Sequence, residues 1–320
     1  MNSPLQVPGR YSISVVTPVY NGETSIAELC RRLGEVLPQI AAEYEIILVN
    51  DGSRDRSWDV ISELSSRFVT VRGLNLMRNY GQHNALLCGI RAAKFDVIVT
   101  MDDDLQQPPE EIPRLLEQLE QGFDVVYGAP KEERHGFMRA LASRITRLAL
   151  GSAIGMDLAK NVSTFRVFRT QLREAFAGYQ TPFVSIDVLL TWATTRFTAV
   201  RVAFQPRYSG SSTYTFTKLV RHALDMMTGF STAPLQLASL IGFACTLFGL
   251  AVFLYVFTRY CVEGSVPGFP FLASIIAIFS GAQLFALGVI GEYLARIHFR
   301  TMNRPVYVVR NVSGEPTELR

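Results

Sequence analysis

Short apolar runs and amphipathic segments alternate over the N-terminal two thirds of the chain. Four runs rich in β-branched residues predict strands buried on both faces, namely Ser12–Thr17, Tyr44–Asn50, Val71–Leu76 and Asp96–Met101. The segments between them have apolar residues at helical spacing and predict helices at Thr24–Leu37, Ser57–Phe68 and Gln82–Ala93. Because strands that alternate with helices pair in parallel through right-handed crossovers, we expect an α/β sandwich with a mostly parallel sheet.

The pattern changes in the last third of the chain, where two long segments carry no charged side chain. Met226–Thr258 and Gly264–Gly291 contain no Asp, Glu, Lys or Arg. Each exceeds the roughly 20 residues that cross the hydrocarbon core of a bilayer. Two buried helices of a soluble core would share this composition, but so short a chain has little protein to cover them. We therefore predict transmembrane helices at 231–258 and 265–291.

The residues that flank these helices set their expected orientation. Lys218 and Arg221 precede the first helix, and three arginines between positions 296 and 304 follow the second uncharged run. The link at 259–263 carries one charge of each sign. Basic flanks remain in the cytoplasm, and the N-terminus lacks the apolar stretch of a signal peptide. We therefore place a domain at 1–213 and a basic tail at 292–320 on the cytoplasmic side of a cell membrane.

Two further segments, 137–153 and 214–230, are amphipathic and basic. Their apolar residues recur at helical spacing, opposite arginine and lysine side chains. Helices of this composition lie in the membrane interface, with the basic face on anionic headgroups. The alternative is a pair of ordinary surface helices packed on the sheet. We favour the interface because the second segment runs directly into a predicted transmembrane helix.

Charge and cysteine content exclude two classes of function. The net charge of +3 is too small to indicate a nucleic-acid partner, and no long basic run is present. The four cysteines have no C-x-x-C spacing, which argues against a zinc site. The chemistry must therefore come from other residues.

Unusual polar residues follow all four predicted strands. They are Pro18–Asn21 after the first strand, Asp51–Ser53 after the second, Arg78–Gln82 after the third and Asp102–Asp104 after the fourth. Ligands of open α/β sheets bind beyond the carboxyl ends of the strands. We therefore expect these four loops to form one binding site.

The three consecutive carboxylates at the end of the fourth strand predict a cation site. Left without a counter-charge, Asp102, Asp103 and Asp104 would repel one another and raise their pKa values. Mg²⁺ or Mn²⁺ suits carboxylate and diphosphate oxygens, and Asp102 and Asp104 share a face if the segment is extended. The alternative is a solvated acidic loop in which Asp104 caps a helix.

Six motifs, taken together, resemble glycosyltransferase family 2, in particular its polyprenyl-phosphate branch. They are Pro18–Asn21, Val49–Asp55, Arg78–His83, Asp102-x-Asp104-Leu105-Gln106-x-Pro108-Pro109-Glu110, Gly210-x-Ser212-x-Tyr214 and Gly291-Glu292-Tyr293-Leu294-x-Arg296. They extend over nearly the whole chain, and their order is more specific than any single motif. The resemblance implies a GT-A-like, Rossmann-like domain and a Mg²⁺- or Mn²⁺-dependent, inverting transfer from a nucleotide sugar to polyprenyl phosphate.

The resemblance also implies roles for individual residues. The nucleoside of the donor is matched by Pro18, Tyr20 and Asp51. The metal and diphosphate site is matched by Asp102, Asp104 and Gln106, and the donor site also includes Arg78, Asp103 and Ser212. Relatives bind the lipid phosphate at the positions of Arg134 and Arg139. Catalytic roles are assigned to Asp104, to Arg207 on the diphosphate and to Asp157 as the nearest carboxylate for a base.

Three positions depart from the family pattern. Gly22 stands where many relatives have Glu, and Thr213 replaces a lysine of the Gly-x-Ser-Lys-Tyr motif. The aspartate that relatives carry before Phe165 is missing, and Asp157 lies at a different offset. A phosphate monoester has a second pKa of about 6, so the acceptor is mostly dianionic at neutral pH and needs a base less than a hydroxyl would.

The sequence thus predicts a membrane-bound enzyme that transfers a sugar to undecaprenyl phosphate, and the resemblance favours a UDP-linked donor. Two alternatives stay open, namely a transferase for another membrane acceptor and a silent scaffold that binds nucleotide sugars. Oligomers occur among the relatives, so we expect a homo-oligomer. The segment Arg304–Val309 predicts a short strand that pairs with another subunit.

Overall fold

The computed structural model describes residues 11–130, 161–181, 184–205, 233–263, 268–302 and 304–314. The chain divides into two compact units. One consists of Met1–Phe216 together with Asn303–Arg320, and the other of Thr217–Met302. The apolar unit is therefore inserted in the sequence of the first unit, to which the chain returns at its C-terminal end. The predicted amphipathic helices at 137–153 and 214–230 lie outside the described residues.

The first unit alternates strands and helices. The strands are β1 (Tyr11–Val19), β2 (Ala41–Asn50), β3 (Val71–Leu76), β4 (Val97–Thr100), β5 (Val125–Pro130), β6 (Arg166–Arg169), β7 (Phe197–Val202) and β8 (Val309–Ser313). The helices are α1 (Ile26–Ile40), α2 (Ser57–Arg67), α3 (Gln82–Ala92), α4 (Ile112–Glu120) and α5 (Ile186–Ala193). Short 3-10 turns cover Pro109–Glu111 and Thr170–Phe176.

The eight strands form one sheet in the order β7-β5-β6-β4-β1-β2-β3-β8. The pairs β1–β2, β1–β4, β2–β3 and β5–β7 are parallel. β6 is antiparallel to both β4 and β5, and β8 is antiparallel to β3. The prediction of a GT-A-like α/β fold with a mostly parallel sheet is confirmed, and the antiparallel strands make the sheet mixed.

Helices cover both faces of this sheet and make it a three-layer sandwich. α1, α2 and α4 pack on one face through buried side chains such as Leu33, Ile61 and Leu115. α3 and α5 pack on the other face through residues such as Leu87 and Leu189. Burial on both faces explains why the central strands are apolar without alternation.

The C-terminal strand extends the sheet at its β3 edge. β8 pairs with β3 in the register Leu74 with Val312, and the backbone N–H of Met77 donates to the carbonyl of Val308 at 2.9 Å. Val306 is buried just before this strand. The strand predicted at Arg304–Val309 was wrong in its bounds, because the strand begins at Val309, and this strand pairs with β3 of its own chain. Of the residues before this strand, Val306 enters the core.

The second unit contains two long apolar helices, α6 (Ala233–Glu263) and α7 (Phe269–Thr301). Their segments Leu235–Val262 and Ile278–Ala295 have mean hydropathies of 2.4 and 1.4 and are long enough to cross a bilayer. The helices approach closely at Gly249, where an added Cβ would lie 2.7 Å from the ring of Phe279. Small residues permit such close helix packing in membranes.

Candidate active site

The carboxyl ends of the parallel strands bring the four polar loops to one edge of the sheet. In the pairing register Val19 lies beside Asn50, and Asn50 beside Asn75. Val16 lies beside Thr100, the last residue of β4. The loops that follow these strands therefore start side by side, as the topology of an open parallel sheet requires.

Asp51 joins the loop after β2 to the loop after β3. Its two carboxylate oxygens accept backbone N–H bonds from Tyr80 at 2.7 Å and from Gly81 at 2.8 Å. Burial raises the pKa of Asp51, and these two hydrogen bonds oppose the rise. Next to it, Gly52 has a φ of +65°, and a Cβ there would lie 2.5 Å from the carbonyl carbon of Arg78. Only glycine accommodates both that backbone conformation and that contact.

The loop after β1 is joined to the loop after β2 by a pair of hydrogen bonds. The backbone N–H of Asn21 donates to Oγ of Ser53 at 3.0 Å, and Oδ1 of Asn21 accepts from the backbone N–H of Arg54 at 2.9 Å. The preceding residue, Tyr20, is 47% exposed. Arg78 stacks over the Tyr80 ring at 4.5 Å from its centroid. The exposed ring of Tyr20 and the guanidinium of Arg78 thus lie at the sheet edge, on loops whose backbones are held by hydrogen bonds.

Asp102 is held by neutral donors. Its Oδ1 accepts from the side-chain amide of Gln82 at 2.7 Å, and its Oδ2 accepts from the hydroxyl of Thr164 at 2.7 Å and from the amide of Gln107 at 3.2 Å. Burial raises the pKa of Asp102, and the charge of Asp104 raises it further, whereas Thr164 and Arg166 oppose the rise. No described residue forms a salt bridge with this carboxylate, so its charge is compensated by dipoles rather than by a direct ion pair.

Asp103 has a buried oxygen without a hydrogen-bond partner. Its Oδ2 is unpaired within the described part of the chain, and a Cβ on Gly22 would lie 2.1 Å from this oxygen. Burial, together with the charges of Asp102 and Asp104, raises the pKa of Asp103 to about 7. A bare carboxylate oxygen in such a place is costly unless a cation or a proton compensates it.

The same loop contacts the segment that follows β7. The backbone N–H of Gln106 donates to Oδ1 of Asp104 at 3.1 Å, and the carbonyl of Gln106 accepts from the backbone N–H of Gln205 at 2.9 Å. Gln205 is the last described residue before the segment that contains Arg207. The segment that leads to Arg207 is therefore attached to the acidic loop.

A divalent cation fits these residues in one particular mode. Within residues 11–130 and the other described ranges, no group of three His, Cys, Asp or Glu side chains is arranged to hold a metal. Mg²⁺ is usually bound by only one or two carboxylates, together with waters and substrate phosphates. Asp102 and Asp104, two positions apart in this loop, are the two carboxylates available for that mode, and the unpaired oxygen of Asp103 would be compensated by a cation or by a proton.

The predicted site residues divide into two sets. The structure brings together at this edge Pro18, Tyr20, Asp51, Arg78, Asp102, Asp103, Asp104 and Gln106. Five other predicted residues, Arg134, Arg139, Asp157, Arg207 and Ser212, lie outside the described residues, as does the departure at Thr213. Their assignments stay predictions.

Sequence reasoning missed the polar residues that support Asp102. Gln107 and Thr164 contact it directly, and Arg166 and Asp187 form a buried ion pair behind them. Gln107 lies between Gln106 and Pro108 in a polar loop, so its sequence neighbours give no signal that it supports Asp102. Thr164 lies 62 residues from Asp102, so its contact depends on the fold.

The sequence of this chain matches a known family and curated relatives. The sequence model of glycosyl transferase family 2 matches residues 14–177. An undecaprenyl-phosphate 4-deoxy-4-formamido-L-arabinose transferase of Pseudomonas aeruginosa (strain LESB58) is 35% identical over 312 residues, covering 96% of this chain and 92% of the relative. The transferase of the same name from Photorhabdus laumondii is 34% identical over 307 residues, covering 95% and 94%.

The fold has solved counterparts at lower identity. Glucosyl-3-phosphoglycerate synthase from Mycobacterium tuberculosis, crystallised with Mn²⁺, UDP-glucose and phosphoglyceric acid, superposes with a TM-score of 0.50 at 19% identity. The match covers 68% of this chain and 78% of that one. Such a likeness establishes the fold alone, whereas the family match and the near-full-length relatives establish descent. The chain is a glycosyltransferase and belongs to glycosyl transferase family 2.

Proposed function

We propose that this enzyme transfers a sugar from a UDP-linked donor to undecaprenyl phosphate, with inversion at the anomeric carbon and with a divalent cation. The observation that carries the proposal is a contact between two loops at the sheet edge. Asp51 fixes the loop after β3 at Gly81, and the next residue, Gln82, donates a hydrogen bond to Asp102 of the acidic loop Asp102–Asp104. The names of the relatives from Pseudomonas and Photorhabdus support the lipid phosphate as acceptor.

The donor nucleotide is assigned to the loops after β1, β2 and β3. The exposed ring of Tyr20 offers a surface for a base, and Pro18 precedes it at the end of β1. Asp51 fixes the backbone of Tyr80 and Gly81, so its role includes shaping this pocket as well as any contact with the nucleoside. The guanidinium of Arg78 supplies positive charge for phosphate oxygens.

The residues that would hold the cation are Asp102 and Asp104, with Gln106 beside them. When bound there, Mg²⁺ or Mn²⁺ would neutralise the diphosphate and make it a better leaving group. Before the donor arrives, Gln82, Gln107 and Thr164 keep the Asp102 carboxylate in one orientation. Preorganised ligands reduce the reorganisation that the reaction requires.

The acceptor phosphate needs little help from a general base. At neutral pH it is mostly dianionic, since its second pKa is about 6. Among the described carboxylates near Asp102, Asp187 accepts from both Arg166 and Tyr127 and is therefore poorly placed to take a proton from an acceptor. The arginines predicted at 134, 139 and 207 would lower the repulsion between the two phosphate-bearing substrates. A single displacement with inversion is what the resemblance to the family implies.

We further propose that α6 and α7 cross the inner membrane and keep the catalytic unit in the cytoplasm. Their apolar segments are long enough to span a bilayer. Both ends of this helical pair connect to the catalytic unit in the sequence, so two tethers would hold the enzyme where a polyprenyl phosphate resides. A homo-oligomer remains our expectation.

Transfer by the purified full-length protein in vesicles tests this function. UDP-, GDP- and dTDP-sugars would be supplied with undecaprenyl phosphate or diacylglycerol, and products identified by mass spectrometry. We expect a sugar–phosphate–lipid product only with the phosphorylated lipid, and a loss of about 10²-fold or more in Asp102→Ala and Asp104→Ala. Asp59→Ala, an exposed carboxylate on α2, is the matched control. Unchanged turnover in both site variants would refute the proposed cation site. Transfer of the sugar to diacylglycerol would refute the proposal that the acceptor is a lipid phosphate.

A further inference from the structure

A row of polar side chains crosses three neighbouring strands beneath the acidic loop. Thr100 on β4 is the register partner of Arg166 on β6, and Arg166 is the partner of Tyr127 on β5. Directly paired residues point to the same face of a sheet, and all three side chains are fully buried. Polar groups in such a place must satisfy one another.

A helix supplies the counter-charge for this row. Asp187, in the first turn of α5, accepts on the same oxygen from Nη1 of Arg166 and from the hydroxyl of Tyr127, the latter at 3.1 Å. Arg166 is 0% exposed and uses its Nε to donate to the hydroxyl of Thr100 at 3.0 Å. Its remaining nitrogen, Nη2, has no hydrogen-bond partner within the described ranges. The pair with Asp187 therefore fixes how the guanidinium is turned toward Thr100.

The hydroxyls between Arg166 and Asp102 have a defined direction. Because the Thr100 hydroxyl accepts from Arg166, its single proton is free to donate to the carbonyl of Thr164, at 2.7 Å. The hydroxyl of Thr164 accepts from Gln107 at 2.7 Å and donates to Oδ2 of Asp102, also at 2.7 Å. Both the backbone and the side chain of Thr164 are thus held. The bond from Thr100 ends at the carbonyl and the bond to Asp102 starts at the hydroxyl, so the two are linked through the position of Thr164.

We propose that Asp187, Arg166 and Thr100 are positioning residues that set the orientation of the Asp102 carboxylate for cation binding. Asp187 fixes Arg166, Arg166 fixes Thr100, and Thr100 fixes Thr164, which contacts Asp102. The inference deepens the proposed function and rests on it, since it assumes that Asp102 binds the cation. Partners one step behind a metal ligand commonly change metal affinity by about 10- to 100-fold when removed.

Mn²⁺ binding, measured by electron paramagnetic resonance on the full-length protein with UDP present, tests this chain. Thr100→Val removes the hydroxyl and keeps the shape, whereas Thr100→Ser keeps the hydroxyl. Asp187→Asn removes the charge that fixes Arg166. Tyr127→Phe is the matched control, because Tyr127 contacts the same Asp187 oxygen but lies outside the path to Asp102. Near-ultraviolet circular dichroism verifies that each variant is folded.

We expect Thr100→Val and Asp187→Asn to weaken Mn²⁺ binding by about 10-fold or more, and Thr100→Ser and Tyr127→Phe to stay within about twofold of the unchanged protein. If Thr100→Val does not fold, the inference is tested by comparing the Mn²⁺ affinity of Asp187→Asn with that of Tyr127→Phe. A folded Thr100→Val or Asp187→Asn protein that binds Mn²⁺ as tightly as its control would overturn the inference. Absence of Mn²⁺ binding by the unchanged protein would instead contradict the proposed cation site, and with it the assigned role of these residues.

Discussion

The unpaired Oδ2 of Asp103 lies so close to Gly22 that a Cβ at position 22 would come within 2.1 Å of it. Gly22 is also the position at which the resemblance to the family implied a glutamate. The two observations belong together, because the absent side chain leaves the space that this carboxylate occupies. Gly22 and Asp103 therefore form a matched pair in this protein.

Replacement of Gly22 tests that relationship. Gly22→Ala should destabilise the protein by about 1–3 kcal/mol, since the added methyl group forces Asp103 to move. It should also lower the affinity for Mn²⁺, because Asp102 and Asp104 lie on either side of Asp103. Thermal unfolding in detergent and Mn²⁺ titration measure the two effects.

The double variant Gly22→Ala/Asp103→Ala supplies the control. If the two residues interact as the structure indicates, the loss of stability in the double variant will be smaller than the sum of the single losses. If the losses of stability in the two single variants added up to the loss in the double variant, the two residues would have no interaction energy.

The raised pKa of Asp103 predicts how stability depends on pH. Its folded-state pKa of about 7 lies above that of an unfolded aspartate, which is about 4. Between these values the folded state binds more protons than the unfolded state, so the free energy of unfolding falls as the pH rises from about 4 to about 7. The pKa values of Asp51 and Asp102 are also raised, by burial, and contribute with the same sign.

Thermal unfolding of metal-free protein across this pH range tests the prediction. Asp103→Asn should reduce the decline in stability, and Asp59→Asn should leave it unchanged. Added Mn²⁺ should stabilise the unchanged protein more at pH 8 than at pH 6, because a cation competes with the proton. If the stability of Asp103→Asn depended on pH as that of the parent does, the Asp103 carboxyl would be ruled out as the cause of the decline.

The buried ion pair of Arg166 and Asp187 should be costly to break from one side. Asp187→Ala leaves an uncompensated guanidinium in the core, and we expect a loss of about 3–5 kcal/mol. The apolar double variant Arg166→Met/Asp187→Leu should recover much of that stability, because no charge is then left buried. Melting temperatures of the three proteins in detergent measure this. A double variant less stable than Asp187→Ala would contradict the account.

The C-terminal segment should contribute to the stability of the catalytic unit. Val306 is 5% exposed and packs in the core, whereas Val308 is 39% exposed. Val306→Ala should therefore cost about 1–3 kcal/mol, and Val308→Ala much less. Equal effects in thermal unfolding would mean that the segment does not pack as described.

The sequence predicted the local elements of the fold because each depends on neighbouring residues. The strand predicted at Val71–Leu76 has the same bounds as β3. The helix predicted at Ser57–Phe68 begins at the first residue of α2 and ends one residue after it. The loops after the parallel strands were placed at one edge for a similar reason, because their position follows from chain direction. Periodicity and strand direction are properties of short segments.

Other features depend on pairings between distant residues. β8 pairs with β3, which lies more than two hundred residues earlier in the sequence. The residues Val309–Ser313 alone do not indicate which strand they will pair with. The support of Asp102 by Thr164 and Arg166 arises only after β6 is inserted beside β4. The contact of Gly22 with Asp103 has the same origin, and the sequence showed only that Gly22 was unusual.

In the proposed function, the acidic edge of the sheet holds the cation that bridges protein and donor. A structure of the full-length protein with Mn²⁺ and UDP, in which the manganese is located by its anomalous scattering, tests it most directly. The account predicts one ion at a ligand distance of about 2.0–2.3 Å from a carboxylate oxygen of Asp102 or Asp104 and in contact with the diphosphate. Manganese found only elsewhere, or UDP bound away from the loops of Tyr20 and Asp51, would contradict it.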